Sequence, residues 1–438
     1  MNQKRLLLLR DTSIFLLVAI LIATVLGYPS PVHTTVYGLI VSSLFYLLFA
    51  FNPHSEKLSE ENILRLVIIG IVLRAIPLLK PAVLSYDAYR YLWDGLVLAN
   101  GFNPYIFYPN HPALNSLQQL SIYSLVGFRE YAAVYPPVAT LLFFVATIVG
   151  GVSNLFFLKF LILLSEIGIL ILIQRILTQL KKPKHFILFY ALSPLAIVHF
   201  SVDAHLDTFG ILFLAFAIHQ HYSGKTTSSS ISLAFSFTTK LFAVVALPIL
   251  IAKQFTLRQS VKYVFVFALV VIAVYTPFIN GGIEVFNALG KFSAHWIHNG
   301  SLFDVILELV GENFFARKIA LLIFVALYIL LFFSKYSTIE KIHLAFLFVI
   351  LLSPIVHPWY IIWITFLTAI QPRKSSLVLS ATASLASVIY INHRLYGTWE
   401  EHWWINFLEY APVYLLLIYE LTKEKKLFQF AHPFNSTH

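Results

Sequence analysis

Cysteine is absent from this chain of 438 residues, and methionine occurs once, as Met1. Without a thiol there is no disulfide, no thiolate nucleophile and no thiolate metal ligand. Charge is also scarce, because Asp, Glu, Lys and Arg together make up only 11% of the residues. A soluble globular domain ordinarily has about 25% of such residues. The sequence therefore excludes cysteine-based chemistry and is atypical of a soluble protein.

Apolar residues dominate the chain, with 59% hydrophobic and 16% aromatic residues. Their runs approach the length of about 20 residues that carries a helix across a membrane. We therefore predict an all-α polytopic membrane protein with about 13 transmembrane helices. No long hydrophilic stretch divides the runs, so we expect residues 1–438 to form one transmembrane domain without a separate soluble domain.

The net charge of +10 comes from Lys and Arg residues that cluster in short segments between the apolar runs. Short basic loops face the cytoplasm, so these charges indicate topology and give no reason to expect a nucleic-acid partner. The predicted cytoplasmic segments are residues 4–10, 181–184, 253–262, 335–341, 373–374 and 423–426. The predicted outer segments are residues 80–131, 280–313 and 392–403, with the junctions 199–205 and 354–358.

One conflict in this topology concerns the chain between Tyr131 and Leu180. Two full spans there would place the basic segment 181–184 on the same side as residues 80–131. Either the apolar run at 134–150 does not fully cross the membrane, or one span is miscounted elsewhere. The sequence leaves both alternatives open.

The stretch 84–105 concentrates polar residues in an otherwise apolar chain. Asn100-Gly101 is a typical helix end, because glycine adopts the left-handed conformation freely, and Pro104 cannot resume the helix. A helix over about 86–100 follows, within an outer loop where we expect amphipathic helices.

Asp87, Tyr91 and Asp94 lie at i, i+4 and i+7 of this predicted helix, and Arg90 lies between the two acids on the same face. The carboxylates are ~10 Å apart along the axis, too far to share a proton. One interpretation is an amphipathic helix on the membrane surface, with Arg90 neutralising the acids. The other makes Asp87 a general base and Arg90 a cation for an anionic substrate, with Asp94 also contacting substrate.

Lys240 lies between two apolar segments, 228–239 and 241–252, that are each too short to cross the membrane. Such a broken pair is tolerated where it is buried in protein or lines a wet cavity. A cation at membrane depth is costly, so Lys240 either snorkels, pairs with Asp203 or Asp207, or binds the phosphate of a substrate.

Asp203, His205 and Asp207 follow one apolar run and precede the next. One imidazole and two carboxylates suit manganese or zinc, but no second ligand cluster with fixed spacing accompanies them. We therefore favour positioning of sugar hydroxyls and predict no metal site.

His357 and Tyr360 begin another run at the same predicted face. His357 is either a capped turn residue or a hydrogen-bonding group for the substrate. Tyr360 is either an aromatic at the membrane interface or part of an aromatic wall for a sugar ring.

Several short motifs occur in a fixed order between residues 85 and 360. They are Asp87-Ala88-Tyr89-Arg90-Tyr91, Trp93-Asp94-Gly95, Gly101-Phe102-Asn103-Pro104-Tyr105, Tyr135-Pro136-Pro137, Ser193-Pro194-Leu195, His205-Leu206-Asp207, Thr239-Lys240 and His357-Pro358-Trp359-Tyr360. In this order they resemble the GT-C superfamily of membrane glycosyltransferases. The resemblance is to bacterial polyprenol-phosphate-mannose-dependent mannosyltransferases and, more distantly, to the GPI mannosyltransferase I catalytic subunit.

The resemblance implies a GT-C fold and a catalytic acid in the first outer loop, here Asp87. The eukaryotic relatives have Asp-x-Asp, whereas Ser85 precedes Tyr86-Asp87 in this chain, which weakens the case for a metal at that motif. The expected function is transfer of a hexose, with mannose favoured, from a polyprenyl-phosphate donor to a lipid-linked or envelope glycan acceptor on the outer face of the bacterial inner membrane. We expect inverting transfer without a cofactor. The alternative is a transporter or flippase for lipid-linked sugars or another amphiphilic anion.

Overall fold

The computed structural model describes residues 3–27, 30–151, 155–252 and 256–429. Within these ranges the secondary structure is helical, and the β-type pairing is limited to an isolated parallel bridge between His298 and Ile355. This confirms the prediction of an all-α fold. Lys253, in one of the predicted basic segments, lies outside the described residues.

The described residues form twenty α-helices, numbered in chain order. The first ten are α1 Gln3–Leu26, α2 Pro31–Ala50, α3 Glu60–Ala75, α4 Asp87–Ala99, α5 Pro137–Gly150, α6 Leu155–Gln179, α7 Leu188–Ala191, α8 Pro194–Ala196, α9 Asp207–Tyr222 and α10 Thr226–Phe237. The others are α11 Leu247–Ala252, α12 Leu257–Tyr275, α13 Asn287–His295, α14 Leu302–Val310, α15 Asn313–Phe333, α16 Thr338–Leu352, α17 Pro358–Thr368, α18 Lys374–Thr382, α19 Ile389–Tyr396 and α20 Trp403–Glu424.

Tighter or wider helical turns join several of these helices. A π-helix spans Ile197–Val202. The 3₁₀ segments are Pro53–Lys57, Ile76–Leu79, Pro112–Leu114, Leu117–Gln119, Ser121–Leu125, Lys184–Ile187, Leu241–Ala246, Thr276–Phe286, Leu385–Val388 and Lys426–Phe428.

Seven helical stretches in the described ranges are long and apolar enough to cross a membrane. They are Gln3–Leu26, Pro31–Ala50, Glu60–Leu79, Leu155–Gln179, Leu257–His295, Asn313–Phe333 and Lys374–Tyr396. A pair of helices, Lys184–Ala191 and Pro194–Val202, is bent by 43° and would make an eighth if it is one span. These helices confirm a polytopic membrane protein, and the total of about 13 stays a prediction.

The predicted outer segments meet at one end of the bundle, which we call the site end. Asn103 in the first of them donates from Nδ2 to Asn280 Oδ1 at 2.7 Å. Arg394 in the last segment donates from Nε to the carbonyl of Val83 at 2.9 Å. These contacts bring residues 80–131 together with both later outer segments.

The predicted cytoplasmic segments also contact one another. Arg373 Nη2 donates to Glu424 Oε2 at 2.9 Å, and Lys426 Nζ donates to Glu340 Oε1 at 3.1 Å. The partition of polar segments into two groups therefore agrees with the topology expected from the basic residues.

The lengths and positions of α5 and α6 favour one of the two alternatives for the chain between Tyr131 and Leu180. The 14 residues of α5 would extend ~21 Å, short of a hydrocarbon core of about 30 Å. Near the start of α6, Lys159 Nζ donates to the carbonyls of Pro77 at 3.1 Å and Lys80 at 2.8 Å. Because α6 therefore begins at the site end, beside the end of α3, the structure favours a run at 134–150 that does not cross, and the total number of spans stays a prediction.

Helix α4 is buried in the protein along most of its length. Trp93 is 0% exposed and Tyr91 1% exposed, so a helix lying on the membrane surface does not fit. Gly95 allows α5 to approach closely, since a Cβ there would lie 2.3 Å from the Phe143 carbonyl oxygen. Thr147 of α5 donates its hydroxyl to the Leu92 carbonyl at 3.1 Å, which fixes the two helices side by side.

A buried ion pair holds α3 against α6. Arg74 Nε donates to Glu166 Oε2 at 2.6 Å, and both side chains are 0% exposed. The remaining nitrogens of Arg74 donate to the carbonyls of Gly70, Tyr190 and Ala191. The guanidinium thus joins α3, α6 and the bend after α7.

We expect Arg74→Met to lower the midpoint of thermal unfolding in detergent strongly, because breaking a buried pair costs about 3–5 kcal/mol. The matched control is Arg65→Met on the same helix, whose pair with Glu61 has side chains 67% and 71% exposed. An exposed i,i+4 pair contributes only ~0.3–0.5 kcal/mol. Equal shifts in the two variants would contradict the structural importance of the buried pair.

Candidate active site

Asp87 is placed by the short extended segment before α4. Asp203 Oδ1 accepts hydrogen bonds from the amides of Val83 at 2.9 Å and Leu84 at 2.8 Å. The Asp87 amide then donates to Ser85 Oγ at 3.2 Å as the helix begins. The position of Asp87 therefore depends on a carboxylate that is distant in sequence.

The Asp87 carboxylate lies between protein and solvent, with its side chain 34% exposed and Oδ2 3.9 Å from His205 Nδ1. Partial burial raises the pKa of Asp87 to about 6, and the nearby charge of Lys240 is the largest effect that opposes this rise. The carboxylate is therefore mostly ionised at neutral pH, as a proton acceptor must be.

Lys240 is positioned by the break between α10 and the segment Leu241–Ala246. Its backbone is extended, with φ −149° and ψ 115°. Just before it, the Thr238 carbonyl accepts a hydrogen bond from the Val138 amide at 3.0 Å, at the start of α5. This confirms the predicted broken pair and places the break beside the site end.

The Lys240 ammonium is nearly buried and has one carboxylate partner. Nζ lies 3.5 Å from Asp207 Oδ1, which also accepts from Trp363 Nε1 at 3.0 Å. It lies 4.0 Å from the ring centroid of Tyr360 and 5.4 Å from that of Tyr135. The structure confirms the pairing with Asp207. Since an ammonium has three donors, it can still bind an anion.

His205 and two tyrosines complete the surroundings of Asp87. The Tyr91 hydroxyl lies 3.3 Å from the Tyr135 hydroxyl and 3.5 Å from His205 Nδ1. We call Asp87, Tyr91, Tyr135, His205, Asp207, Lys240 and Tyr360 the Asp87 cluster. Tyr135 was not among the predicted site residues, although its place before Pro136-Pro137 at a helix start was a usable signal.

An aromatic wall stands beside this cluster. Trp359 stacks on His205 with ring centroids 3.6 Å apart, and on His357 at 4.3 Å. His357 in turn lies 4.5 Å from the ring of His298, whose Nδ1 is 2.6 Å from Glu401 Oε1. A shallow, open pocket is lined by His298, Asn299, Glu401 and Asn406, none of which belongs to the Asp87 cluster.

Arg90 and Asp94 are directed away from this cluster. Arg90 Nε donates to Asp94 Oδ1 at 2.9 Å, and the other nitrogens donate to the carbonyls of Phe128 at 3.0 Å and Tyr131 at 2.8 Å. The pair braces the loop against α4, and its predicted contact with substrate stays a prediction.

Two family models match the chain. One, described as alpha-(1->6)-mannopyranosyltransferase, N-terminal domain, matches residues 14–255, more than half of the 438 residues. The other, described as MptB C-terminal domain, matches residues 308–397. The chain belongs to the alpha-(1->6)-mannopyranosyltransferase family. None of the curated proteins matches it.

Membership of this mannosyltransferase family confirms the predicted glycosyltransferase and the resemblance to bacterial GT-C mannosyltransferases. The predicted residues Asp87, Asp203, His205, Asp207 and Lys240 fall within the first matched segment. His357 and Tyr360 fall within the second. The cluster thus combines residues from both matched parts of the mannosyltransferase.

We expect Arg90→Lys to lower the thermal unfolding midpoint of this mannosyltransferase, because an ammonium cannot replace three hydrogen bonds made by a planar guanidinium. The donor KM measured on the same preparation separates the two interpretations of Arg90. An unchanged KM agrees with the bracing role. A KM raised tenfold or more at unchanged stability would make Arg90 a substrate-binding residue.

Proposed function

We propose that this chain transfers mannose from a polyprenyl-phosphate donor to a lipid-linked or envelope glycan acceptor. The reaction would take place on the outer face of the bacterial inner membrane. The observation that carries the proposal is a cluster at the site end that holds both a carboxylate and an ammonium, Asp87 beside His205 and Lys240 beside Asp207.

The proposed chemistry needs one base and one cation. Asp87 takes the proton from the acceptor hydroxyl while the acceptor oxygen attacks C1 of the mannose. The bond from C1 to the phosphate oxygen breaks, and the polyprenyl phosphate leaves as an anion that needs no proton. Lys240 stabilises the charge that builds on this leaving group. A single displacement of this kind inverts the configuration at C1 and needs no second carboxyl, in contrast to glycosidases.

The family description suggests which hydroxyl reacts. An α-(1→6) linkage makes the primary hydroxyl at C6 of the acceptor sugar the nucleophile. Trp359, His357 and Tyr360 supply aromatic faces beside the cluster on which sugar rings could stack. The polyprenyl chain would extend between helices into the bilayer while its phosphate meets Lys240.

Transport of lipid-linked sugars is the rival function, because a broken helix pair with a buried charge is also typical of carriers. The family description supports the transferase. The deciding assay supplies the purified protein in vesicles with radiolabelled polyprenyl-phosphate mannose and a cell-envelope lipid extract. Label that moves to a new lipid supports transfer. Label that crosses the vesicle membrane unchanged supports a carrier and contradicts our proposal.

We expect Asp87→Asn to fold normally and to lose transfer by about 100- to 10,000-fold in kcat, the usual contribution of a general base. The amide keeps the shape of the side chain and removes the basic oxygen. The matched control is Asp94→Asn on the same helix, which we expect to affect stability more than turnover because Asp94 pairs with Arg90. Near-normal turnover in Asp87→Asn would end its assignment as the base.

We expect Lys240→Met to raise the donor KM and to lower kcat by about 100-fold, since the lost cation stabilises charge in the transition state. Lys159→Met is the matched control, because Lys159 is also a buried lysine but donates only to backbone carbonyls. It should melt at a lower temperature and retain turnover per folded molecule. The same pattern in Lys240→Met would contradict the phosphate role of Lys240.

A further inference from the structure

Three potential metal ligands converge behind the Asp87 cluster. One side-chain donor atom each from His199, Asp203 and His205 lies within 4.8 Å of the other two, and all three residues are 0% exposed. We call these three residues the His–Asp–His group. The group shares His205 with the Asp87 cluster and adds His199 and Asp203.

Local backbone geometry brings the three residues together. His199 and Asp203 are four residues apart, on the π-helix and directly after it. Ala204 then adopts a left-handed φ of 61°, which is uncommon for a residue with a Cβ. This turn lets the His205 amide donate to the His199 carbonyl at 3.1 Å, so the two imidazoles lie side by side. π-Helical turns and strained residues of this kind occur frequently at functional sites.

Four buried polar atoms of the group have no hydrogen-bond partner among the described residues. They are both ring nitrogens of His199, Oδ2 of Asp203 and Nε2 of His205. The approach of 3.7 Å between His199 Nδ1 and Asp203 Oδ2 is too long for a hydrogen bond. Burying unpaired polar atoms costs free energy, so several of them in one place indicate a missing common partner.

We propose that the His–Asp–His group binds a divalent zinc ion. Two imidazole nitrogens and one carboxylate oxygen form the three-ligand set that zinc takes in sites with a free fourth position for water. The proposal is independent of the mannosyl transfer proposed above. It departs from our expectation of no metal. That expectation considered Asp203, His205 and Asp207 as the possible ligands and did not include His199.

Hydrogen bonds and close contacts with neighbouring groups already orient two of the three ligands. Oδ1 of Asp203 is held by the amides of Val83 and Leu84, which leaves Oδ2 for the metal. Nδ1 of His205 faces Tyr91 at 3.5 Å and Asp87 at 3.9 Å, and its Nε2 is unpartnered. Carboxylates and hydroxyls that contact the free nitrogen of a histidine are the usual supports of a metal ligand.

The surrounding charges are close to balance. The carboxylates of Asp87, Asp203 and Asp207 lie near the cations of Arg90, Lys159 and Lys240. A divalent ion would therefore give the region a net positive charge and make it more favourable for a phosphate.

Metal analysis of the purified full-length protein tests the proposal. We expect about one zinc per chain in the wild type, retained through dialysis against metal-free buffer. In His199→Gln and Asp203→Asn we expect zinc to fall at least tenfold. The control is His343→Gln, a fully buried histidine whose ring nitrogens both have partners, Gln371 and Ser376, and which should retain zinc.

A second measurement on the wild type covers the case in which the variants do not fold. Zinc added back to chelator-stripped protein should raise its thermal unfolding midpoint, because a ligand that binds the folded state stabilises it. Cobalt in place of zinc should give a visible absorption spectrum typical of tetrahedral coordination. Stripped wild type that neither takes up zinc nor gains stability would overturn the proposal. Zinc retained in both His199→Gln and Asp203→Asn would place the metal elsewhere and would also overturn the proposal. Manganese or iron found in the wild type instead of zinc would overturn the choice of zinc.

Discussion

The attachment of residues 83–84 to Asp203 is the constraint on which the site depends. The chain between Lys80 and Tyr86 has no regular secondary structure to position it. Two consecutive amides donate to one buried carboxylate oxygen of Asp203, and α4 begins three residues later. Without that attachment, Asp87 would depend on the flexible end of a long loop. Hydrogen bonds to an ionised, buried acceptor are strong. One side chain can therefore position a helix that lies more than 100 residues earlier in the chain.

Charge placement follows from the apolar character of the chain. Only 11% of the residues are charged, and a charge buried among so many apolar residues needs a partner. The charges that join helices have a different kind of partner from the charge that we propose binds substrate. Arg74 with Glu166, and Lys159 with backbone carbonyls, join helices to one another. Lys240 is different, because its contact with Asp207 is 3.5 Å long and the rings of Tyr135 and Tyr360 lie around its ammonium. That difference is the reason why we propose Lys240 as the cation that binds the donor phosphate.

Much of this arrangement could be predicted from the sequence. The composition and hydrophobic runs gave the all-α membrane fold, and Asn100-Gly101 gave the end of α4. The order of short motifs predicted the family. The predictions of fold, helix end and family succeeded because helix length, helix ends and motif order are properties of the sequence itself. Asp87, His205, Asp207 and Lys240 lie near one another as expected, and their roles stay predictions.

Other features depend on tertiary contacts that no local pattern contains. The loop carbonyls that occupy Arg90 lie about 40 residues further along the chain, so spacing on the helix could not reveal its bracing role. Whether α5 crosses the membrane depends on where α6 meets α3, and that contact cannot be read from the sequence. His199 was recognisable in principle, at four residues before Asp203 on one helix, but the left-handed turn at Ala204 that adds His205 was not.

Asp87 and Lys240 are proposed to act on one donor molecule at the site end. An experimental structure of the protein in nanodiscs with a non-hydrolysable polyprenyl-phosphonate mannose would show this arrangement. We expect a phosphonate oxygen at about 3 Å from Lys240 Nζ, within hydrogen-bond or ion-pair distance. We also expect C1 of the mannose on the side of Asp87, with room for an acceptor hydroxyl between them. A phosphonate bound at Arg90, or at the pocket beside Glu401, would rule out the proposed roles of Asp87 and Lys240.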